Sequence, residues 1–247
     1  MRAPETLRNM DLTGSKAAFM STIKKDFDRL ARLDDGGWTP NNHYHSLLLR
    51  SVPANCLRAL EVGCGTGAFS RRLAERAQQV VAIDLSPEMI RVASSRSTHI
   101  RNVDYRCADV MSGEMAAAEF DCIISIATLH HLPLKEVIFR LKEALKPGGV
   151  LVVLDLFAPD RNLLRLAGWR DTMLNACASG VSVSLRLLHN GRLRPPPEVR
   201  AAWEEHGSKD VYLTMPDVRL LGAEFLPGAR VRQHLLWRYS LVWQKPH

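Results

Sequence analysis

The chain has 247 residues, of which 46% are hydrophobic and 24% are charged, as in a globular protein with one α/β domain. Thirty-three basic and 26 acidic residues give a formal net charge of +7, which suits an acidic ligand but is more typical of a solvated basic surface. The N-terminal residues show no apolar signal segment and no run approaches the roughly 18 apolar residues of a membrane helix, so we expect no membrane span.

The five cysteines form no Cys-x-x-Cys pair, and three of them lie in or beside predicted buried strands. This pattern predicts reduced thiols in a cytoplasmic protein rather than a disulfide framework. The spacing of cysteines and histidines also matches no zinc-binding motif, so the sequence predicts no metal site.

The first 50 residues predict helices. From Ser15, apolar residues recur at helical spacing until Gly36 and Gly37 end the pattern. Thr39 and Pro40 suit the start of a second helix, which Pro53 closes. Helices before the first strand of an α/β sheet often fold over the ligand pocket, so we expect residues 1–50 to form a helical cap.

Three side chains of this second helix are candidates for the pocket: His43, Tyr44 and His45. Because His43 and His45 are two residues apart, they point to different sides of a helix, and at most one can face a ligand. Packing on the core, with no functional role, is an equally weighted alternative for this group.

A strand, a glycine-rich turn, a helix and a second strand follow one another between Leu57 and Asp84. The glycines stand at alternate positions, Gly63, Gly65 and Gly67, where the first strand gives way to the helix. Glycine lets a ligand approach the backbone closely, and amides at a helix start attract anionic groups. Asp84 closes the second strand, where its carboxylate can accept hydrogen bonds from a ribose diol. We therefore predict a nucleoside-containing cofactor at this edge.

The glycine spacing separates two kinds of cofactor. A dinucleotide site requires Gly-x-Gly-x-x-Gly or Ala, which Gly63, Gly65 and Ala68 satisfy only weakly. The run Leu60 to Gly67, with Glu61 two residues before the first glycine, resembles the first motif of class I S-adenosylmethionine-dependent methyltransferases. Within that class the chain looks most like the small-molecule enzymes of the ubiquinone/menaquinone-biosynthesis type.

Landmarks further along the chain strengthen this resemblance. Asp109 follows the predicted strand Val103–Cys107, as does the family's adenine-binding acid. A nearly continuous apolar strand, Phe120–Ile126, leads into His130-His131-Leu132-Pro133, which resembles the family's loop beside the transferred methyl group. Leu145 to Gly149 looks like the family's turn into its fifth strand, which we expect over Val150–Leu154.

Residues 158–227 form a variable insertion that we expect to act as a lid. A helix is predicted over Asn162–Ala176, with Leu163, Leu166, Trp169, Met173 and Ala176 on one face. Val181–Leu188 and the segment Gly191–Pro197 are expected to form a basic, proline-rich connection, and Met215-Pro216-Asp217 starts a further helix. Two runs joined by a couple of residues then predict an antiparallel terminal hairpin.

The resemblance implies a doubly wound, mostly parallel seven-stranded α/β sheet with that antiparallel hairpin, helices on both faces, and a Rossmann-like domain over residues 51–247. It also implies S-adenosyl-L-methionine as cofactor and a small-molecule methyl acceptor with an O, N, S or C nucleophile. An RNA or protein methyltransferase, or a non-catalytic cofactor-binding scaffold, remain as alternatives, and the oligomeric state is left open.

Site residues follow from the same resemblance. The expected cofactor-binding residues are Glu61, Gly63, Cys64, Gly65, Gly67, Asp84, Leu85, Asp109, Val110 and Ser125. If the nucleophile carries a proton of high pKa, a base is required. The candidates are His130, His131, His43 and Tyr44, with one of the adjacent histidines facing the substrate and the other structural.

Overall fold

A computed structural model describes residues 13–113, 115–159 and 166–247. Helices and strands follow one another in the order α1 (Thr13–Leu33), α2 (Pro40–His43), α3 (His45–Leu49), β1 (Cys56–Val62), α4 (Ser70–Leu73), β2 (Ala77–Asp84), α5 (Pro87–Ser95), β3 (Val103–Cys107), β4 (Phe120–Ile126), α6 (Leu134–Ala144), β5 (Leu145–Leu156), α7 (Leu166–Asn190), α8 (Pro197–Gly207), α9 (Met215–Phe225), β6 (Arg230–Gln233) and β7 (Arg238–Gln244). A short 3-10 helix, Leu129–His131, lies between β4 and α6.

The strands form one sheet in the order β3-β2-β1-β4-β5-β7-β6. Strands β1 to β5 pair in parallel, whereas β7 runs antiparallel to both β5 and β6. The predicted fold class, including the antiparallel hairpin, is confirmed. The strand order reverses between β1 and β4, and doubly wound folds bind ligands outside the carboxyl ends of the strands at such a point.

Alternate residues of the central strands supply two hydrophobic cores. Leu60 and Leu151 point to the face covered by α6 and α9, whereas Ala59 and Val152 point to the face covered by α3 and α4. All four side chains are at most 1% exposed. Burial on both faces explains why these strands read as continuous apolar runs in the sequence.

Two helices begin with side-chain caps, and the second of these starts was predicted at Met215. Ser86 Oγ accepts a hydrogen bond from Met89 N at the start of α5, and Pro87 occupies the first turn. At the start of α9, Thr214 and Asp217 form a reciprocal capping box. In both cases the sequence signal is local, so it survives folding unchanged.

The insertion differs most from the expectation. Val181–Leu188 is not a connection but part of α7, and α8 follows where no helix was expected. On the predicted face of the first helix, Trp169 is 58% and Met173 65% exposed; Leu163 lies outside the described residues. Serine and valine are weak helix formers, so their frequency in α7 concealed its length.

Two smaller corrections concern element boundaries. The expected single helix after Thr39 is divided at Tyr44 into α2 and α3. Strand β5 begins at Leu145 rather than Val150, and its pairing with β4 shifts register between Phe120 and Cys122 to accommodate the proline and glycines. Within the described ranges, no helix combines the length and apolar character needed to cross a bilayer.

Candidate active site

The glycine-rich turn is fastened to the end of β2. Gly63 N and Cys64 N both donate to the carbonyl oxygen of Ile83, at 2.9 and 3.0 Å. The φ angles of Gly63, Gly65 and Gly67 are 73°, 53° and 75°, a region that other residues rarely adopt. A Cβ atom at Gly63 would also overlap the Thr128 side chain, so this position requires glycine.

Asp84 ends β2 directly beside this turn. Its Oδ2 accepts a hydrogen bond from Gly65 N at 2.8 Å, and its Oδ1 accepts one from Ser86 N at 2.9 Å. Burial raises the pKa of Asp84, although these amides act in the opposite direction. Each carboxylate oxygen has a second lone pair, so both can still accept a hydrogen bond from a ligand hydroxyl. The half-buried Leu85 follows.

Glu61 lies beneath the turn and is only 2% exposed. Its Oε2 accepts a hydrogen bond from Ser70 Oγ at 2.5 Å. Burial raises the pKa of Glu61 to about 8, and the nearby Asp84 adds to this effect. The carboxyl group therefore holds its proton at neutral pH, and a cation placed next to it would favour ionisation.

Three other predicted cofactor residues have different surroundings. The Oδ1 of Asp109 accepts a hydrogen bond from Met111 N at 2.8 Å and caps its own loop. The next residue, Val110, is 6% exposed and packs in the hydrophobic core. Ser125 is fully buried in β4, where its hydroxyl donates to Val62 O at 3.1 Å.

At the carboxyl ends of β4 and β5, His130 is held by a buried acid. Its Nδ1 lies 2.6 Å from Asp155 Oδ1, and its backbone amide donates to Asp155 Oδ2 at 3.1 Å. Asp155 is 1% exposed and also accepts a hydrogen bond from Leu156 N. Contact with the carboxylate at this distance requires a proton on Nδ1, so the neutral imidazole presents Nε2 as an acceptor.

His131 belongs to a second cluster, to which the insertion contributes. Its Nδ1 lies 3.3 Å from Asp210 Oδ1, and Tyr212 donates to Asp210 Oδ2 at 2.8 Å. His206 in α8 is also close, with Nε2 at 3.8 Å from Asp210 Oδ2. Burial acts to raise the pKa of Asp210, but His131 and Tyr212 outweigh it and the pKa is lowered. Burial lowers the pKa of His131.

His43, Tyr44 and His45 do not join these clusters. The hydroxyl of Tyr44 donates to Leu235 O at 2.6 Å, and burial raises its pKa to about 12. His43 is exposed and contacts the Tyr44 ring edge-on. His45 packs against Phe69, and burial lowers its pKa to about 4.

Sequence reasoning missed the acids that orient the two histidines. Asp155 stands near the end of an otherwise apolar strand, which is a detectable signal for a residue at the carboxyl edge. Asp210, Tyr212 and His206 lie in the insertion and carry no local signal, because only folding brings them to the loop after β4. Arg238, which is 8% exposed, is another buried charged residue that no local pattern in the sequence indicates.

Comparisons with known proteins agree with this geometry. Residues 59–149 match the family model described as a methyltransferase domain. An uncharacterised methyltransferase of Mycobacterium tuberculosis is 31% identical over 214 residues, which cover 86% of this chain and 99% of that protein. The ubiquinone biosynthesis O-methyltransferase of Xylella fastidiosa is 33% identical over 145 residues, covering 53% of this chain and 58% of that protein.

A solved structure gives the same fold. The N-methyltransferase NodS from Bradyrhizobium japonicum, in complex with S-adenosyl-L-homocysteine, matches 91% of this chain and 98% of its own with a TM-score of 0.59 and 19% identity. The fold and the glycine turn define an α/β enzyme with a nucleoside cofactor. The chain belongs to the class I S-adenosylmethionine-dependent methyltransferases. Its cofactor is therefore S-adenosylmethionine, as predicted.

The raised pKa of Glu61 predicts how stability depends on pH. Below pH 4.5, the ordinary pKa of the group, the carboxyl is protonated in the folded and unfolded states alike. Between pH 4.5 and about 8, Glu61 ionises in the unfolded chain but stays protonated in the folded protein. The contribution of Glu61 to the free energy of unfolding is therefore lost as pH rises. We expect the free energy of unfolding of Glu61→Gln, measured in urea, to fall less over this range than that of the wild type.

Glu75→Gln is the matched control, because Glu75 is exposed and lies in the turn after α4. This variant should keep the wild-type pH dependence. Identical pH profiles for Glu61→Gln and the wild type would mean that Glu61 is ionised in the folded protein.

Proposed function

We propose that this enzyme transfers a methyl group to a small molecule whose nucleophile carries a proton, such as a hydroxyl. The main support is the contact between His130 and Asp155 at the carboxyl edge of the sheet, because a histidine oriented by a carboxylate is suited to remove that proton. The likeness to a ubiquinone biosynthesis O-methyltransferase supports the same class of acceptor.

The groups around the glycine turn suit the cofactor chemically. Asp84 offers two acceptor oxygens at the right edge for a ribose diol. Glu61 offers a carboxyl that would ionise beside the ammonium of the cofactor's amino-acid end. We assign the adenine amino group to Asp109, whose Oδ1 retains a lone pair after capping its own loop.

The acceptor side is enclosed rather than open. The side chains of His130 and His131 are 8% and 6% exposed, and Asp210 is 2% exposed. A site buried to this extent favours a small-molecule ligand over a folded polymer. We therefore assign residues 158–227 as a lid over the acceptor, and residues 1–50 as a cap that closes the same crevice.

Contacts of α1 support this assignment. Phe27 packs against the rings of His131 and His206, with centroids 5.6 and 4.7 Å away. Asp28 accepts a hydrogen bond from Ser86 Oγ at 2.5 Å, just beyond the end of β2. Helix α1 thus contacts both the acceptor side and the cofactor side.

The cofactor supplies an electrophilic methyl group on a sulfonium. During transfer the carbon–sulfur bond breaks and a bond forms between carbon and the acceptor's nucleophile, while the acceptor's proton passes to His130 Nε2. Asp155 stabilises the imidazolium that results, as a buried carboxylate next to a histidine does. His131 lies under the acceptor and shapes its pocket.

A methyl-transfer screen tests the proposed function directly. We expect product with members of a panel of phenols, carboxylates, amines and thiols, and most product with the phenols. RNA serves as the control polymer and should remain unmethylated. Methylation of RNA, with no product from any small molecule, would contradict the proposal.

The role of Asp84 is tested by calorimetry with S-adenosyl-L-homocysteine. We expect Asp84→Ala to weaken binding at least tenfold, because the ribose loses its acceptor. Asp104→Ala, an exposed acid in β3, is the control and should bind as the wild type does. Unchanged affinity in Asp84→Ala would remove the ribose assignment.

The two adjacent histidines should differ in their effect on turnover. With a phenol acceptor, His130→Ala should lower kcat by about 10²–10⁴-fold, the usual contribution of a general base. Asp155→Asn should also lower kcat, since it disturbs the tautomer of His130. His131→Ala should act mainly on the KM of the acceptor, and equal, small losses for both histidines would argue against a base in this loop.

A further inference from the structure

Two adjacent histidines and one acid from the insertion bring ligand atoms together at the carboxyl ends of β4 and β5, here called the acceptor edge. His130, His131 and Asp210 each offer one atom to a group in which all atoms lie within 4.8 Å of one another. His131 Nδ1 lies 3.3 Å from Asp210 Oδ1, and His130 Nε2 lies 3.9 Å from Asp210 Oδ2. Two imidazoles and one carboxylate form a donor set that binds first-row transition metals.

One ligand atom of this group has no hydrogen-bond partner among the described residues. Asp210 Oδ1 is buried and accepts no hydrogen bond from the described residues, although its side chain is 2% exposed. Leaving a buried charged oxygen unsatisfied costs free energy, so such an atom points to a group that completes it. The atom faces His131 Nδ1, which is itself a potential ligand.

The separations agree with shared coordination. Ligand atoms about 2.0–2.1 Å from a tetrahedral metal lie about 3.4 Å from one another. The distance of 3.3 Å between His131 Nδ1 and Asp210 Oδ1 already has this value. His130 Nε2 lies 3.9 Å from the other oxygen, Asp210 Oδ2, and must move closer to share a metal with them. His206 Nε2, 3.8 Å from Asp210 Oδ2, lies on the same carboxylate.

Supporting hydrogen bonds hold two of the ligands in the orientation that a metal requires. The proton on His130 Nδ1 is directed to Asp155, so Nε2 has a free lone pair. Tyr212 donates to Asp210 Oδ2 and leaves Oδ1 available. Histidines that bind metals usually donate their other ring nitrogen to a carboxylate in this way.

We propose that His130, His131 and Asp210 bind a divalent first-row transition metal, with Zn²⁺ as the probe. No sequence signal predicts this site, because Asp210 comes from the insertion and the two histidines are adjacent. Three protein ligands leave a coordination position for another group, as in catalytic metal sites.

The role of the metal rests on the proposed function. Placed at the acceptor edge, the metal takes the acceptor's oxygen as its further ligand, and coordination lowers the pKa of that hydroxyl. A metal-bound His130 Nε2 could not accept a proton, so the base role of His130 belongs to the metal-free enzyme, whereas in the loaded enzyme the proton of the coordinated hydroxyl would pass to solvent before methyl transfer.

Zn²⁺ binding tests the site without any cofactor or acceptor. We expect calorimetry on chelator-treated full-length protein to give one Zn²⁺ per chain. Asp210→Asn and His131→Gln should each weaken binding at least tenfold, and far-UV circular dichroism verifies that both variants are folded. Mg²⁺ should not bind, since imidazole ligands disfavour it.

Two control variants exclude binding elsewhere. His99→Ala removes an exposed histidine and Cys107→Ser removes an exposed thiol; both should bind Zn²⁺ as the wild type does. With Co²⁺, the wild type should develop visible absorption without a thiolate charge-transfer band. Wild-type Zn²⁺ affinity in both Asp210→Asn and His131→Gln, or a thiolate band with Co²⁺, would overturn the proposal.

Methyl transfer separates the metal from the proposed function. Chelator treatment should raise the KM of the acceptor at least tenfold, and Zn²⁺ should restore it. An unchanged KM would overturn the role of the metal while the proposed function stands. One Zn²⁺ per chain with no product from any acceptor would contradict the proposed function and leave the metal site in place.

Discussion

The carbonyl oxygen of Ile83 accepts two hydrogen bonds from successive amides of the glycine turn, and the rest of the site depends on this contact. It fixes Gly63 and Cys64 against the end of β2, so that Gly65 N meets the carboxylate of Asp84. A turn held in this way requires positive φ at Gly63 and no side chain, because Thr128 occupies the adjoining space. Backbone hydrogen bonds and positive φ angles thus fix the conformation of the glycine turn.

The acceptor edge follows from the same parallel sheet. Pairing of Ile126 with Leu154 brings the loop after β4 next to the end of β5, and Asp155 then meets both the ring and the amide of His130. Asp84 at the end of β2 and the buried Asp155 near the end of β5 therefore both lie at the carboxyl edge, with β1 and β4 between their strands. Asp84 is suited to bind the cofactor, whereas Asp155 orients the imidazole of His130.

The insertion determines what surrounds the histidines. Asp210 and Tyr212 approach from the segment between α8 and α9, and Phe27 of α1 packs over His131 and His206. So many ionisable groups buried together are costly unless each has a partner. Asp210 Oδ1 contacts His131 Nδ1 but accepts no hydrogen bond from the described residues, which a bound metal would explain.

The sequence alone determined the fold class, the cofactor and the helix start at Met215. These depend on local patterns: apolar runs, glycine spacing and caps that act within a few residues. Only the tertiary structure decided which histidine meets Asp155, that Tyr44 is committed to Leu235 O, and that Asp210 joins the acceptor edge. The reason is physical, since such contacts join residues far apart in the chain, and no local spacing records which side chains a folded sheet edge brings within 4 Å of each other.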